Sequence, residues 1–190
     1  MSTVLLDAGD MRRTLGRMAH EILESNSGAE GLVVVGILRR GWPVAKRLAF
    51  LMTQIEGTTV PCGKIDTTQF RDDVSRSRGA DEAGRNADGS PPRDNSEIPF
   101  EMTDKRVVLV DEVIYTGRTV RAAMDAVMKF GRPRSIELAV LIDRGHRELP
   151  ITPNYCGRTV QTEKEDHIVV KVNEVDGEDA VVLESPEAKN

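Results

Sequence analysis

The sequence predicts an α/β domain built on a parallel sheet flanked by helices. Three observations carry that expectation. Leu32–Ile37 (LVVVGI), Val107–Val110 (VVLV) and Ser135–Ile142 (SIELAVLI) are apolar runs of strand length, the pattern of parallel strands buried on both faces. The first two lead into segments with helical apolar spacing, Val44/Leu48/Leu51 and Val120/Ala123/Met124/Val127. The length of 190 residues suits a single domain over residues 1–190 with a sizeable core.

The central unit runs from Arg106 to Gly131. After the Val107–Val110 strand come two acids, Asp111 and Glu112, and then Thr116-Gly117-Arg118-Thr119 turns into a helix that Gly131 and Pro133 stop. A helix N-terminus presents unpaired N–H groups and the positive end of the dipole, so it favours an anion. Gly117 lets backbone come close to that anion. Thr116 and Thr119 add hydroxyls, and Arg118 adds charge. Two adjacent carboxylates upstream suit a vicinal diol. A phosphate and a diol held together describe a ribose 5-phosphate. The run lacks the Gly-Lys-Ser/Thr of a P-loop and is not GxGxxG.

The remaining elements follow in order. Residues 8–25 read as an amphipathic helix, with Met11, Leu15, Met18 and Ile22 on one face. Arg13, Arg17 and His20 share another face, which serves either as a binding surface or as an ordinary solvated one paired with Glu21 and Glu24. Gly16 stands mid-helix, at a cost of up to about 1 kcal/mol relative to Ala. Arg39, Arg40 and Gly41 follow the first strand, where open α/β sheets place ligands. They read equally as a diphosphate-binding loop or as a surface turn. Pro43 opens the next helix. Val60–Phe70 has mixed strand character. Residues 75–98 are rich in Gly, Pro and charge, and predict a mobile loop inside the domain, placed as a lid over the site. Tyr155-Cys156-Gly157 leads to a strand region over 167–172. Asp176-Gly177 lies near the tip of a hairpin with Ala180–Leu183, and residues 185–190 should fray.

Composition excludes several classes. The net charge of −5 argues against non-specific coating of nucleic acid, though it permits a local basic patch. No run is long and apolar enough for a signal or a membrane span. Cys62 and Cys156 stand outside any CxxC or metal spacing, as expected of a reduced, cytoplasmic protein. His20, His146 and His167 are too scattered for a metal site.

VVLVDEVIYTGRT resembles the phosphoribosyl-diphosphate (PRPP) motif of type I phosphoribosyltransferases. DMRRTLGRMAHEILE, VGILRRGWPVAKRLA, IDTTQFRDD, LIDRGHRELP and VNEVDGEDAVV extend the likeness, and nearly the whole chain except 75–98 resembles the PyrR family. That family comprises uracil phosphoribosyltransferases that also regulate pyrimidine operons. The resemblance implies a type I phosphoribosyltransferase fold with a small hood and a C-terminal β-hairpin. It implies uracil plus PRPP giving UMP and diphosphate, with Mg²⁺ carried by PRPP rather than by protein ligands. By position it implies Asp111 and Glu112 on the ribose, Val113, Ile114, Tyr115, Thr116, Gly117, Arg118 and Thr119 around the 5-phosphate, and Arg39 and Arg40 on the diphosphate. Arg144 and the Ile168 backbone would meet uracil. It further implies UMP- or UTP-dependent binding of leader mRNA through Arg13, Arg17, His20, His146, Arg147 and Arg158, in a homodimer or higher homo-oligomer. Glu112 departs from the family's usual Asp. Gly16 and Thr152 stand where Thr and Arg are expected, and Arg39 replaces a Thr.

Overall fold

The computed structural model describes residues 2–71 and 93–186. The elements are β1 (Ser2–Leu6), α1 (Ala8–Ser25), β2 (Leu32–Ile37), α2 (Gly41–Glu56), β3 (Cys62–Ile65), β4 (Arg106–Ile114), α3 (Arg118–Val127), β5 (Ser135–Asp143), β6 (Tyr155–Thr159), β7 (His167–Lys171), the one-turn α4 (Asn173–Asp176) and β8 (Ala180–Glu184). Five strands form a sheet in the order β3-β2-β4-β5-β6, and every neighbouring pair is parallel. The predicted fold class is therefore observed. A second, antiparallel sheet β1-β8-β7 forms the hood.

The strand sequences explain the layering. Alternate residues point to opposite faces. Val34, Val108, Val110, Ala139 and Leu141 face α1 and α2, in a core that also takes Val170, Val172 and Val181 of the hood. Val33, Val35, Val107, Leu109 and Val140 face the other way and pack on Val120, Ala123, Ala126 and Val127 of α3. α1 starts at a reciprocal cap: Asp7 Oδ1 accepts from Asp10 N at 2.7 Å, and Asp10 Oδ2 accepts from Asp7 N at 3.3 Å. Asn26 closes its other end within a buried polar cluster. Asn26 Nδ2 donates to Glu137 Oε2 at 2.9 Å, and the Tyr155 hydroxyl donates to the same oxygen at 2.6 Å. Burial first, then the Glu137 carboxylate, pushes the Tyr155 phenol up to about 12.

Several boundaries differ from the sequence expectation. β4 does not stop before the acids but continues through them to Ile114. Its ladder to β2 ends at Gly36–Val110, whereas its ladder to β5 continues to Ile114–Asp143. One edge of β4 is thus released at Asp111 while the other holds the strand extended. Tyr155–Thr159, read as a lead-in, is itself the edge strand β6. β1 has no helical or buried-strand signature and is ordered by pairing with β8. Of the expected mobile loop, residues 75–92 lie outside the described residues. Residues 93–98 are anchored at Glu97, which exchanges two backbone hydrogen bonds of 2.9 Å with Lys64, and Ile98 packs on the α3-side core. Of the expected frayed end, residues 187–190 lie outside the described residues.

Two glycines behave oppositely. A Cβ on Gly36 of β2 would stand 2.6 Å from the Trp42 Cα and 2.8 Å from the Ala45 Cβ, so α2 rests directly on the strand. A Cβ on Gly16 would meet nothing within 4 Å, so no packing contact requires glycine in α1. Gly36→Ala is expected to cost about 1–3 kcal/mol through overpacking. Gly16→Ala is expected to stabilise by up to about 1 kcal/mol. Urea denaturation of both variants checks the pair.

Candidate functional site

The strand order reverses direction between β2 and β4: the chain moves from β2 outward to β3, then returns to the other side of β2. Ligands in open parallel sheets bind at such a switch point, beyond the carboxyl ends of the strands. Asp111 and Glu112 stand there, beside the start of α2. A Cβ on Gly41 would lie 2.7 Å from the Val110 carbonyl and 3.1 Å from the Asp111 Cα, so only glycine lets α2 begin this close to the acids.

Asp111 is 5% exposed, and its Oδ1 accepts from the Glu112 amide at 2.9 Å. Burial, followed by the Glu112 charge and a carboxyl–carboxyl hydrogen bond, holds Asp111 well above the usual carboxylate range, with Arg71 acting in the opposite direction. Glu112 Oε2 is buried and has no hydrogen-bond partner among the described residues. An orphaned carboxylate oxygen is costly unless a ligand satisfies it. The pair is thus an acceptor site, stabilised by incoming hydroxyl donors or positive charge.

A cavity of about 530 Å³ opens beside Asp111 and is lined by Arg71 and by residues 113–120 together with Glu148. Gly117 is the N-cap of α3 in the left-handed region (φ 89°), and no side chain caps the helix. Thr116 Oγ1 accepts weakly from Arg118 N at 3.4 Å, and the Thr116 carbonyl is fixed by Glu148 N and Leu149 N. The segment 115–119 therefore lines the cavity with an uncapped helix start and two threonines, a combination suited to an anion. Within it, Ile114 turns its side chain into the core and donates only backbone to the site, where its carbonyl accepts from Arg144 N. Arg118 is paired with Glu148, Nε to Oε2 at 2.7 Å.

On the far side, the Arg144 guanidinium lies 4.2 Å from the Tyr115 ring centroid, and His146 meets the same ring edge-on at 5.8 Å. Arg144 is buried and tied to Thr162 Oγ1 at 3.3 Å and the Glu163 carbonyl at 2.9 Å. Arg147 bonds the carbonyls of Tyr115, Gly145 and Ile151 and the Asp143 carboxylate, so it holds the loop after β5 against the end of β4 at Tyr115. Ile168 lies half-buried in β7 of the hood.

Arg39 is exposed after β2, joined to Leu38 by a cis peptide. Arg40 is held by Asp176 of the hood, Nη2 to Oδ1 at 2.9 Å and Nε to Oδ2 at 3.2 Å. The six basic residues fall into two groups. Arg17 of α1 donates to the carbonyls of Cys156 and Gly157 at 3.3 and 2.6 Å, and Arg158 donates to the Leu5 carbonyl at 2.5 Å. With Arg13, paired to Asp10 at 2.6 Å, and exposed His20, they follow the seam between α1 and the β6 edge. His146 and Arg147 belong to the loop beside the cavity, where His146 Nε2 lies 2.6 Å from the Thr162 carbonyl. Sequence reading missed Arg71, Glu148 and Asp176. All three lie inside quoted motifs, but nothing local marks which charge turns toward a cavity or a partner.

A phosphoribosyl transferase domain model matches residues 2–175. A bifunctional protein PyrR from Deinococcus radiodurans is 48% identical, covering 96% of this chain and 94% of that protein. A bifunctional protein PyrR from Bacillus subtilis is 48% identical, covering 95% of each. A hypoxanthine phosphoribosyltransferase from Staphylococcus aureus shares the fold at a TM-score of 0.67 and 16% identity, covering 97% of this chain and 93% of that one. One from Trypanosoma cruzi does so at 0.68 and 15%, covering 97% of each. The acid pair at the switch point, the open N-terminus of α3 and full-length similarity to the bifunctional proteins agree, and the chain belongs to the PyrR family of phosphoribosyltransferases.

Proposed function

We infer that the chain transfers a phosphoribosyl group from PRPP to uracil, giving UMP and diphosphate, and that it regulates pyrimidine operons by nucleotide-dependent binding to leader mRNA. Membership of the PyrR family supports both halves. The single observation that carries the enzymatic half is the juxtaposition of the buried Asp111, with Glu112 and its unsatisfied oxygen beside it, and the uncapped, glycine-led start of α3 at one cavity.

In this reading the amides and hydroxyls of Tyr115–Thr119 hold the 5-phosphate, with Val113 and Ile114 supplying the strand end from which they hang. Asp111 and Glu112 accept from the ribose hydroxyls and face the positive charge that develops on the ribose as the diphosphate leaves. Such preorganised charge accelerates reaction without a nucleophilic side chain. Arg39 and Arg40 neutralise the departing diphosphate. Arg144, fixed on Tyr115, and the backbone of Ile168 orient uracil. Among the described residues no group of three or more His, Cys, Asp or Glu side chains forms a metal cage. Mg²⁺ carried by PRPP would supply charge neutralisation to the diphosphate, near the unsatisfied Glu112 oxygen. The lid role of residues 75–98 remains part of the proposal, with its anchored flank at Glu97 beside β3.

The RNA surface in this reading is centred on Arg13, Arg17, His20 and Arg158 along the α1–β6 seam, extended by His146 and Arg147. β6 is the outer strand of its sheet, so a homodimer or higher homo-oligomer can bring two seams together. No described helix is long and apolar enough to cross a membrane. The cytoplasm is the compartment where PRPP, uracil, UMP, UTP and leader mRNA meet.

Two predictions follow from the site. Asp111→Asn is expected to lower kcat/KM for UMP formation by about 10²-fold or more. Hypoxanthine preferred to uracil by the wild type would overturn the base assignment. The same variant should be more stable than wild type at pH 7. Asp111 is held above its ordinary value in the folded state, so folding takes up a proton, and stability is lost as pH rises from the unfolded value through the folded one. The advantage of Asp111→Asn should therefore shrink as pH falls toward the ordinary carboxylate range, a trend that thermal melts across pH will show.

A third prediction concerns RNA. Leader binding should be stronger with UMP and fall steeply with salt, by a factor set by the number of phosphates contacted. Arg13→Gln should reduce the slope of log affinity against log salt by about 0.7–0.9 per lost phosphate contact while leaving UMP formation unchanged. A salt-independent complex, or none with UMP present, would remove the regulatory half.

A further inference from the structure

Arg47 of α2 and Arg40, just before it, hold the hairpin between β7 and β8. Arg47 lies in the second turn. Its guanidinium spans Glu174 (2.9 and 2.5 Å) and Asp179 (3.0 and 2.8 Å), with no cavity residue among these partners. Arg40 immediately precedes the helix, at the carboxyl end of the sheet, and both its bonds go to Asp176. Asp176 is itself fixed, because its Oδ2 accepts from Val172 N at 2.9 Å and its own amide donates to the Val172 carbonyl at 2.7 Å. The Asp176 side chain is 19% exposed. It is a fixed anion of the hood, held against Arg40 of the Arg39–Arg40 loop.

That arginine has a competing partner. Glu112 carries a buried carboxylate oxygen with no hydrogen-bond partner among the described residues, and Arg40 directly precedes Gly41, whose Cβ would stand only 3.1 Å from the Asp111 Cα. An arginine fork and an unsatisfied carboxylate attract each other strongly in a partly dry site. Contact between them would cover the acceptor that the ribose needs and withdraw the cation that the diphosphate needs.

We propose that Asp176 is a positioning residue for phosphoribosyl transfer: by clasping Arg40 from the hood side, it keeps the guanidinium off Glu112, so that Arg40 stays available to diphosphate and Glu112 to ribose. The inference rests on the phosphoribosyl-transfer reading above. As a stability element the clasp is minor, because solvent screens a partly exposed ion pair. Its position gives it a larger effect on binding than on folding. The hood, which carries Ile168, and the Arg39–Arg40 loop are also joined by it, so the base and diphosphate ends of the site share one fixed charge.

The test compares Asp176→Asn, Asp176→Glu and Arg47→Gln with wild type. Asp176→Asn retains an oxygen for Val172 N but loses the charge. It is expected to raise KM for PRPP about tenfold while kcat changes less than about threefold. It should weaken binding of magnesium diphosphate by a similar factor, read from the fluorescence of Trp42, the only tryptophan and two residues from Arg40. Asp176→Glu should recover most of the loss. Arg47→Gln, which loosens the same hairpin elsewhere, should lower the melting temperature and leave KM for PRPP within twofold. Asp176→Ser repeats the measurement if the Asn variant does not fold. Unchanged PRPP and diphosphate affinity in Asp176→Asn, or an equal loss in Arg47→Gln, would overturn the proposal while leaving the enzymatic reading intact. A wild type that forms no UMP would overturn the enzymatic reading, and this inference with it.

Discussion

The structure depends on placing two adjacent carboxyl groups in a nearly dry position at the end of the central strand. Asp111 is buried and Glu112 keeps an orphaned oxygen, an arrangement that costs folding energy in the absence of a ligand. The surrounding elements make it tolerable. The ladder from β4 to β5 continues past the acids and fixes their backbone, while the ladder to β2 stops one residue before them. Gly36 and Gly41 allow α2 to lie against β2 and against Val110–Asp111. The switch in strand order opens the sheet at the same point. Strain at a site of this kind is relieved by substrate, which is how a binding pocket comes to favour its ligand over water.

Much of this was legible from the residues. Largely apolar runs of strand length gave β2, β4 and β5, the last despite Glu137, and helical spacing gave α1, α2 and α3. The turn into α3 was readable because Gly117 and a threonine on either side of Arg118 mark the start of an amphipathic helix. The limits of the strands were not readable. Asp111 and Glu112 look like loop residues by composition, but a single surviving ladder keeps them extended. β1 and β6 owe their state to partners far along the chain, β8 and β5, and short edge strands carry little local signal. The partners of the arginines were equally hidden. Arg39 and Arg40 are adjacent in sequence, yet one is exposed and the other is captured by the hood. Arg147, grouped with the basic surface, spends its hydrogen bonds inside the loop that backs Tyr115.

That last arrangement links the two proposed activities physically. The loop 144–151 touches the cavity through Tyr115, Thr116 and Glu148, and it carries His146 toward the surface beside Thr162. A nucleotide seated against Tyr115 and Arg144 would act on the same loop that extends the basic seam of α1 and β6. Coupling of this kind needs no long pathway, only one loop whose position both ligands bias.

The central claim is that one ribose 5-phosphate lies across the switch point, diol on the acids and phosphate on the start of α3. A crystal structure of the UMP complex tests it most directly. The account predicts both ribose hydroxyls within about 3 Å of the Asp111 and Glu112 carboxylates, the phosphate on the amides of 116–119, and uracil between Arg144 and the Ile168 backbone. UMP bound along the α1–β6 seam, with the Asp111–Glu112 pair untouched, would contradict it.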